Sequence, residues 1–290
     1  MSFEQAYNKY YKVLLAIPII LIIIALSLII SKYVETGEFI NKDVSLKGGV
    51  SATVYTDKIV DLNQLKSAIP GDSLTRKLTD FSTGKQLGIL IEASDVKSDD
   101  LKKILEKELS LTLTEENYSI EETGSSLGKS FYKELITAII FAFIFMAVVV
   151  FITFKNFIPS IAVIQAGFTD IVVTLAIVNL IGMKISSAGI VAFLMVLGYS
   201  IDTDILLTTR ILKRQERGVF YERMISSIKT GLTMTGTTFV ALLAGYIISF
   251  SEIIREMFLI ILISIVIDII ATYCGNAAIL KWYCDKKGIK

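Results

Sequence analysis

The chain has 290 residues, 53% of them hydrophobic and 20% charged, with a mean hydropathy of +0.64. So much apolar side chain excludes an ordinary water-soluble domain and predicts a membrane protein. A formal net charge of +1 argues against an electrostatic nucleic-acid binder, and the absence of histidine removes imidazole from any proton or metal chemistry.

Residues 1–12 carry Lys9 and Lys12 and precede an uncharged run at 13–30. The run is longer than the about 7 to 15 apolar residues of a secretory signal, and Ser31-Lys32-Tyr33 supplies no small-residue cleavage site. A retained span over 13–31 is expected, with cleavage as the alternative.

Residues 32–133 then read as a polar domain. Residues 50–56 are strand-like; Asp61 caps a helix with Leu62, Leu65 and Ile69 on one face, and Pro70-Gly71 stops it. Residues 74–81 alternate, Thr83-Gly84-Lys85 turns the chain, and Leu87, Ile89 and Ile91 alternate again. Ser98 opens a second helix, with Asp99 and Asp100 suiting its positive N-terminal end and Leu101, Ile104, Leu105 and Leu109 on its face. Residues 118–122 close the series. The order strand, helix, strand, strand, helix, strand predicts an α+β ferredoxin-like unit.

Five more apolar stretches, at about 135–154, 157–181, 185–207, 229–250 and 257–280, are each near the roughly 20 residues that cross a bilayer core. Together with the first they predict a polytopic α-helical protein of six transmembrane helices, the ferredoxin-like domain lying between helices 1 and 2. The loop 208–228 and its borders carry Arg210, Lys213, Arg214, Arg217, Arg223 and Lys229; the tail 281–290 adds Lys281, Lys286, Lys287 and Lys290. The opposite short loops offer Lys184 and Arg255. Both termini are therefore expected in the cytoplasm and residues 32–133 outside. Cys274 and Cys284 fall about 15 Å apart on one helix and cannot bridge within it.

A carboxylate at the centre of a membrane helix costs about 2.5–3.5 kcal/mol on insertion scales, so each one calls for a reason. Asp170 falls about 16 Å along its span from Pro159, and Asp268 lies as deep from Met257 at the other face. Asp202 and Asp204 lie about 12 and 9 Å above Arg210. Ser264, Asp268, Thr272 and Asn276 recur every fourth residue, which gives the sixth span one polar stripe. Asp202 and Asp204 stand about 200° apart on their helix, so they cannot face the same way. Gly198, one turn from Asp202, favours Asp202 as the inward acid. In the fifth span Gly231, Thr235, Thr238, Leu242 and Gly245 form a seam that permits close helix approach, with Gly236 beside it. Acids at one depth suggest a proton or ion relay through Asp170, Asp202 and Asp268, with Asp204 a further candidate and Arg210 tuning the field. The plainer alternative is neutral, hydrogen-bonded helix glue.

Several segments taken together resemble the SecF protein-export family, in the SecD/SecF branch of the resistance-nodulation-division superfamily. Leu46-Lys47-Gly48-Gly49 is similar to the glycine-pair motif after the first span. Gly124-Ser125-Ser126-Leu127-Gly128-Lys129 is similar to the segment before the second. Asp170-Ile171-Val172 resembles the third-span motif. Residues 198–211, Gly198-Tyr199-Ser200-Ile201-Asp202-Thr203-Asp204 through Arg210-Ile211, resemble the fourth span, and Thr235-Gly236-Thr237-Thr238 the fifth. The resemblance implies a partner homologous to SecD, a SecY-type translocation channel, a secreted polypeptide as cargo, membrane lipid as surroundings, and use of the proton-motive force. It implies relay roles for Asp170, Asp202 and Arg210, but not for Asp268. Two departures stand out. Asp202-Thr203 stands where Asn-Asp is usual, and Asp202-Thr203-Asp204 is closer to the Asp-Ala-Asn of SecD, which leaves the working acid open. Ser45 stands where an aspartate usually precedes the glycine pair.

No enzyme activity, metal or organic cofactor is expected. A stand-alone exporter of small molecules or lipids is the alternative, although one external domain leaves little room for two large porter domains. An intramembrane aspartyl protease would need a Gly-x-Gly-Asp pattern, and none surrounds these acids.

Overall fold

The computed structural model describes residues 3–80, 83–94, 96–213, 219–249 and 251–288. Phe81, Arg214, Arg217, Phe250 and Lys290, which figure in expected elements, lie outside them. The described chain runs α1 (Phe3–Thr36), α2 (Val44–Lys47), β1 (Gly49–Tyr55), α3 (Leu62–Ala68), β2 (Ser73–Thr79), β3 (Gln86–Ala93), α4 (Ser98–Leu109) and β4 (Tyr118–Thr123). There follow α5 (Ser125–Phe154), α6 (Phe157–Leu180), α7 (Ser187–Lys213), α8 (Phe220–Ile248), α9 (Glu252–Ile270), a π-helical segment (Ala271–Asn276) and α10 (Ala277–Lys287).

Among the described residues six helices are long and apolar enough to cross a membrane: Tyr7–Thr36, Ser126–Phe154, Phe157–Leu180, Ser187–Lys213, Phe220–Ile248 and Ile253–Lys287. The last joins α9, the π segment and α10. The chain is thus a polytopic α-helical membrane protein. Its helices extend past the apolar runs, because a helix whose backbone groups are satisfied internally continues into polar sequence until a capping residue stops it. Lys155, with φ 53°, ends α5 in this way.

Between the first two spans sits a four-stranded antiparallel sheet of order β2-β3-β1-β4, the ferredoxin-like arrangement. Alternation in β1 and β3 sends Val50, Ala52, Val54, Ile89, Ile91 and Ala93 to one face, where they bury against Leu65 of α3 and Leu101, Leu105 and Leu109 of α4. Full burial of a large apolar side chain stabilises by about 1.5–3 kcal/mol each, so this face holds the domain together. Asp61 caps α3, accepting from the amides of Asn63 at 2.9 Å and Gln64 at 3.4 Å. At α4 Lys97 is the capping residue. Ser98 lies inside the helix, and its hydroxyl donates to Glu122 at 2.8 Å across to β4.

Two glycine motifs meet where this domain joins the second span. A Cβ on Gly128 of α5 would lie 2.6 Å from the amide nitrogen of Gly48, and one on Gly49 would collide with the carbonyl of Ala93. Gly49 also has φ 144°, so both backbone geometry and space require glycine there.

Candidate functional site

The acids come from the three most buried spans. α6, α7 and α9 pack against one another, while α1, α5 and α8 present most of their surfaces outward. Asp170 on α6, Asp204 on α7 and Asp268 on α9 are all buried. Asp170 stands about 20 Å along α6 from Phe157, well inside a core about 30 Å thick.

A run of short polar side chains joins them. The Ser200 hydroxyl donates to Asp170, and Asp268 is near enough to this pair to interact with it electrostatically. The Thr203 hydroxyl lies 3.0 Å from Asp268 Oδ2, and the Thr272 hydroxyl lies 3.2 Å from Asp268 Oδ1 and 2.9 Å from Asp204 Oδ1. The Asn276 amide donates to Asp204 at 2.8 Å and reaches Thr208 at 3.4 Å. A hydroxyl has one proton, so Thr272 donates to one carboxylate at a time and accepts only from a protonated one. Asp170 Oδ1 and Asp204 Oδ2 are buried with no hydrogen-bond partner among the described residues. The arrangement is chemically a set of proton acceptors bridged by hydroxyls that both accept and donate.

The π segment explains how the sixth span keeps one face on this cluster. On an α-helix of 3.6 residues per turn, residues four apart drift by about 40° at each step, so Asn276 would swing away from Asp268. The wider π turn cancels most of that drift, and Thr272 and Asn276 both reach Asp204.

Asp202, expected inward, is exposed on α7, and the inward acid is Asp204. The cue pointing to Asp202 is Gly198, yet nothing lies within 4 Å of where a Gly198 Cβ would stand. Val191, Met195, Gly198 and Asp202 form an open stripe, whereas Ser200, Asp204 and Thr208 recur every fourth residue on the buried face. That second stripe mirrors Ser264, Asp268, Thr272 and Asn276 and is legible in the sequence.

Arg210, expected to tune the acids, points elsewhere. Its Nη1 donates to the carbonyl and hydroxyl of Ser226 at 2.7 and 3.0 Å, tying α7 to α8 about 9 Å along the helix from Asp204. In the α8 seam Thr235 is buried, Thr238 is half-buried, and Gly236 is exposed with nothing within 4 Å of where its Cβ would stand. Gly231 and Gly245 make the close approaches, to the Tyr273 hydroxyl and the Phe258 ring. Cys274 and Cys284 are both free thiols. Ser45, in place of the usual aspartate, donates its hydroxyl to Asp43 Oδ1 at 2.6 Å, and Asp43 caps the end of α2 opposite Gly48.

These features define a multi-pass membrane protein with a ferredoxin-like insertion after its first span and a histidine-free carboxylate cluster in its core. The family described as protein export membrane protein SecD/SecF, C-terminal, matches residues 104–286. The chain is 37% identical over 281 residues to the protein-export membrane protein SecF of Methanocaldococcus jannaschii, covering 95% of this chain and 96% of the relative. Identity to SecF of Methanolacinia petrolearia is 33% over 291 residues, covering 99% of both. Among solved structures, SecDF of Thermus thermophilus, a translocon-associated membrane protein, matches with a TM-score of 0.73 at 18% identity over 96% of this chain and 38% of that one. SecDF in its super-membrane-facing form gives a TM-score of 0.67 at 19% identity, over 97% of this chain and 39% of that one. The likeness to SecDF is one of fold, and the chain spans well under half of those chains. The chain belongs to the SecF family of protein-export membrane proteins.

Proposed function

We propose that this protein is an accessory subunit of Sec protein export that works beside a SecD-type partner on a SecY-type channel. It draws on the proton-motive force to promote the passage of secreted polypeptides across the cell membrane. The observation that carries the coupling is the path of buried groups across the three central spans, hydrogen-bonded from Asp268 through Thr272 to Asp204 and Asn276, with the Asp170–Ser200 pair next to Asp268. That path is built without a histidine and, among the described residues, without a cation as hydrogen-bond partner. Carboxylates this close in a low-dielectric interior do not all ionise together, and a proton moves between Asp268 and Asp204 through the hydroxyl of Thr272. Protonation and deprotonation change which acid holds each hydroxyl, and so bias how α6, α7 and α9 pack.

The partner reading draws on the open stripe of α7. Asp202 is a carboxylate on a mid-span face with Gly198 one turn away, and such a group is stable in a membrane only against another protein or a water-filled cavity. A SecD-type chain supplies that cover, consistent with the longer SecDF chains that share this fold. The termini are cytoplasmic and the sheet domain external on the basic-loop count. No catalytic step is assigned.

The test is uncoupler-sensitive export into energised vesicles carrying the partner chain. Asp170→Asn and Asp268→Asn should abolish the uncoupler-sensitive fraction while the complex still copurifies; full stimulation in both variants would rule out the relay.

A further inference from the structure

A second buried charge cluster lies where the sheet domain meets the helices, apart from the intramembrane acids. Ile89, Ile91 and Ala93 face the α3/α4 core, so Glu92 between them faces the other way, towards the helical part. Arg76, on the adjacent strand β2, is buried beside it, with Nη2 3.9 Å from Asp43 Oδ2 and 3.8 Å from Glu256 Oε2. Asp43 caps α2, accepting from Ser45. Glu256, in the first turns of α9, accepts from the amide and hydroxyl of Ser186 at 2.8 and 3.0 Å. Its carboxylate fills the space over Gly189, where a Cβ would collide with Oε1. Lys184 pairs with Asp72, which Lys47 also reaches at 3.2 Å. Sheet domain, α2, the loop between α6 and α7, and α9 thus converge on one small volume.

The charges facing Glu92 do not balance among the described residues. Asp43 from α2 and Glu256 from α9 oppose it; Arg76 from β2 and Lys184 from the α6–α7 loop favour it, and Lys184 is already engaged by Asp72. Among the same residues, Glu92 Oε2 and Glu256 Oε2 are both buried without a hydrogen-bond partner. An added proton removes the excess negative charge and turns the Glu92 carboxyl from an acceptor alone into a donor as well.

We propose that this junction is a proton-binding site centred on Glu92, which fastens the sheet domain to the membrane helices when protonated and loosens it when the proton leaves. Burial chiefly, then the nearby Asp43 and Glu256, hold the Glu92 carboxyl up at about 7 from its ordinary 4.5, against the pull of Arg76 and Lys184. Burial also pushes the Asp43 carboxyl up. A carboxyl raised in the docked state binds its proton more tightly there. Docking is therefore strongest below about 4.5, weakens as pH rises towards about 7, and has lost this contribution above that. Glu92 is half-buried rather than sealed, so a roughly tenfold change in opening is expected, well under the limit set by that gap. The site answers to acid on the side of the membrane that carries the sheet domain. It stands whether or not the intramembrane relay does.

The experiment is hydrogen–deuterium exchange of the full chain in lipid nanodiscs, corrected for the intrinsic pH dependence of exchange, from about pH 5.5 to 8.5. Exchange in residues 73–79 and 184–190 should rise about tenfold as pH climbs from about 5.5 to about 7 and level off above that, while residues 101–105 of the domain core stay protected. Glu92→Gln, a permanent stand-in for the protonated acid, should keep the junction protected throughout. A flat wild-type profile overturns the proposal, and so does a wild-type rise in Glu92→Gln. The wild-type profile decides even where the variant does not fold, and protection of 101–105 reports folding in each sample.

Discussion

In the membrane core, Asp170, Asp204 and Asp268 take their hydrogen bonds from hydroxyls and one amide, whereas at the sheet junction Asp43 and Glu256 face Arg76 and Asp72 faces two lysines. Both clusters bury carboxylates, yet only one supplies fixed positive charge. A carboxylate held by neutral donors can gain or lose a proton without breaking an ion pair, which suits a group that must cycle. One held by a guanidinium resists that exchange and suits docking. The junction departs from its own rule at Glu92, and that exception carries the proposed sensitivity to acid.

The comparison can be broken by substitutions that treat the two clusters alike. Arg76→Gln should be the most damaging to stability: removing one partner of a buried ion pair costs about 3–5 kcal/mol, here leaving Asp43 and Glu256 facing each other, and thermal unfolding in detergent measures it. Thr272→Val keeps the shape but deletes the hydroxyl between Asp268 and Asp204. The loss should be about 1–3 kcal/mol in the same assay, with a larger effect on coupled export than on stability. Gly189→Ala pushes a methyl into the Glu256 carboxylate and should cost about 1–3 kcal/mol by overpacking, loosening the junction without touching the intramembrane acids. Asp202→Asn should leave the melting temperature of the isolated chain unchanged and weaken only its copurification with the SecD-type partner.

Much of this architecture is legible in the sequence because its signals are local. Six apolar runs, the period-two strands around Ile89 and Ile91, the Asp61 cap and the depths of Asp170 and Asp268 each depend on residues within a few turns of one another. The inward face of α7 is where the sequence misleads, because a glycine need not mark packing. Gly198 lies open, and the better guide is the spacing of Ser200, Asp204 and Thr208, whose polar atoms need partners once buried. The junction is not legible at all. Arg76 and Glu256 are 180 positions apart, and nothing near either residue announces that the sheet will lay one against the other. Arg210 illustrates the same limit, since helical angle alone does not show that α8 offers it the Ser226 carbonyl.

The most direct test of the relay compares Asp204→Asn with Asp202→Asn in energised vesicles containing the partner chain, measured as uncoupler-sensitive export. Asp204 is sealed within the cluster and Asp202 lies outside it. Asp204→Asn should lose the uncoupler-sensitive fraction, while Asp202→Asn should retain it in whatever complex still assembles. Coupling that survives Asp204→Asn and is lost in an assembled Asp202→Asn complex would contradict the account.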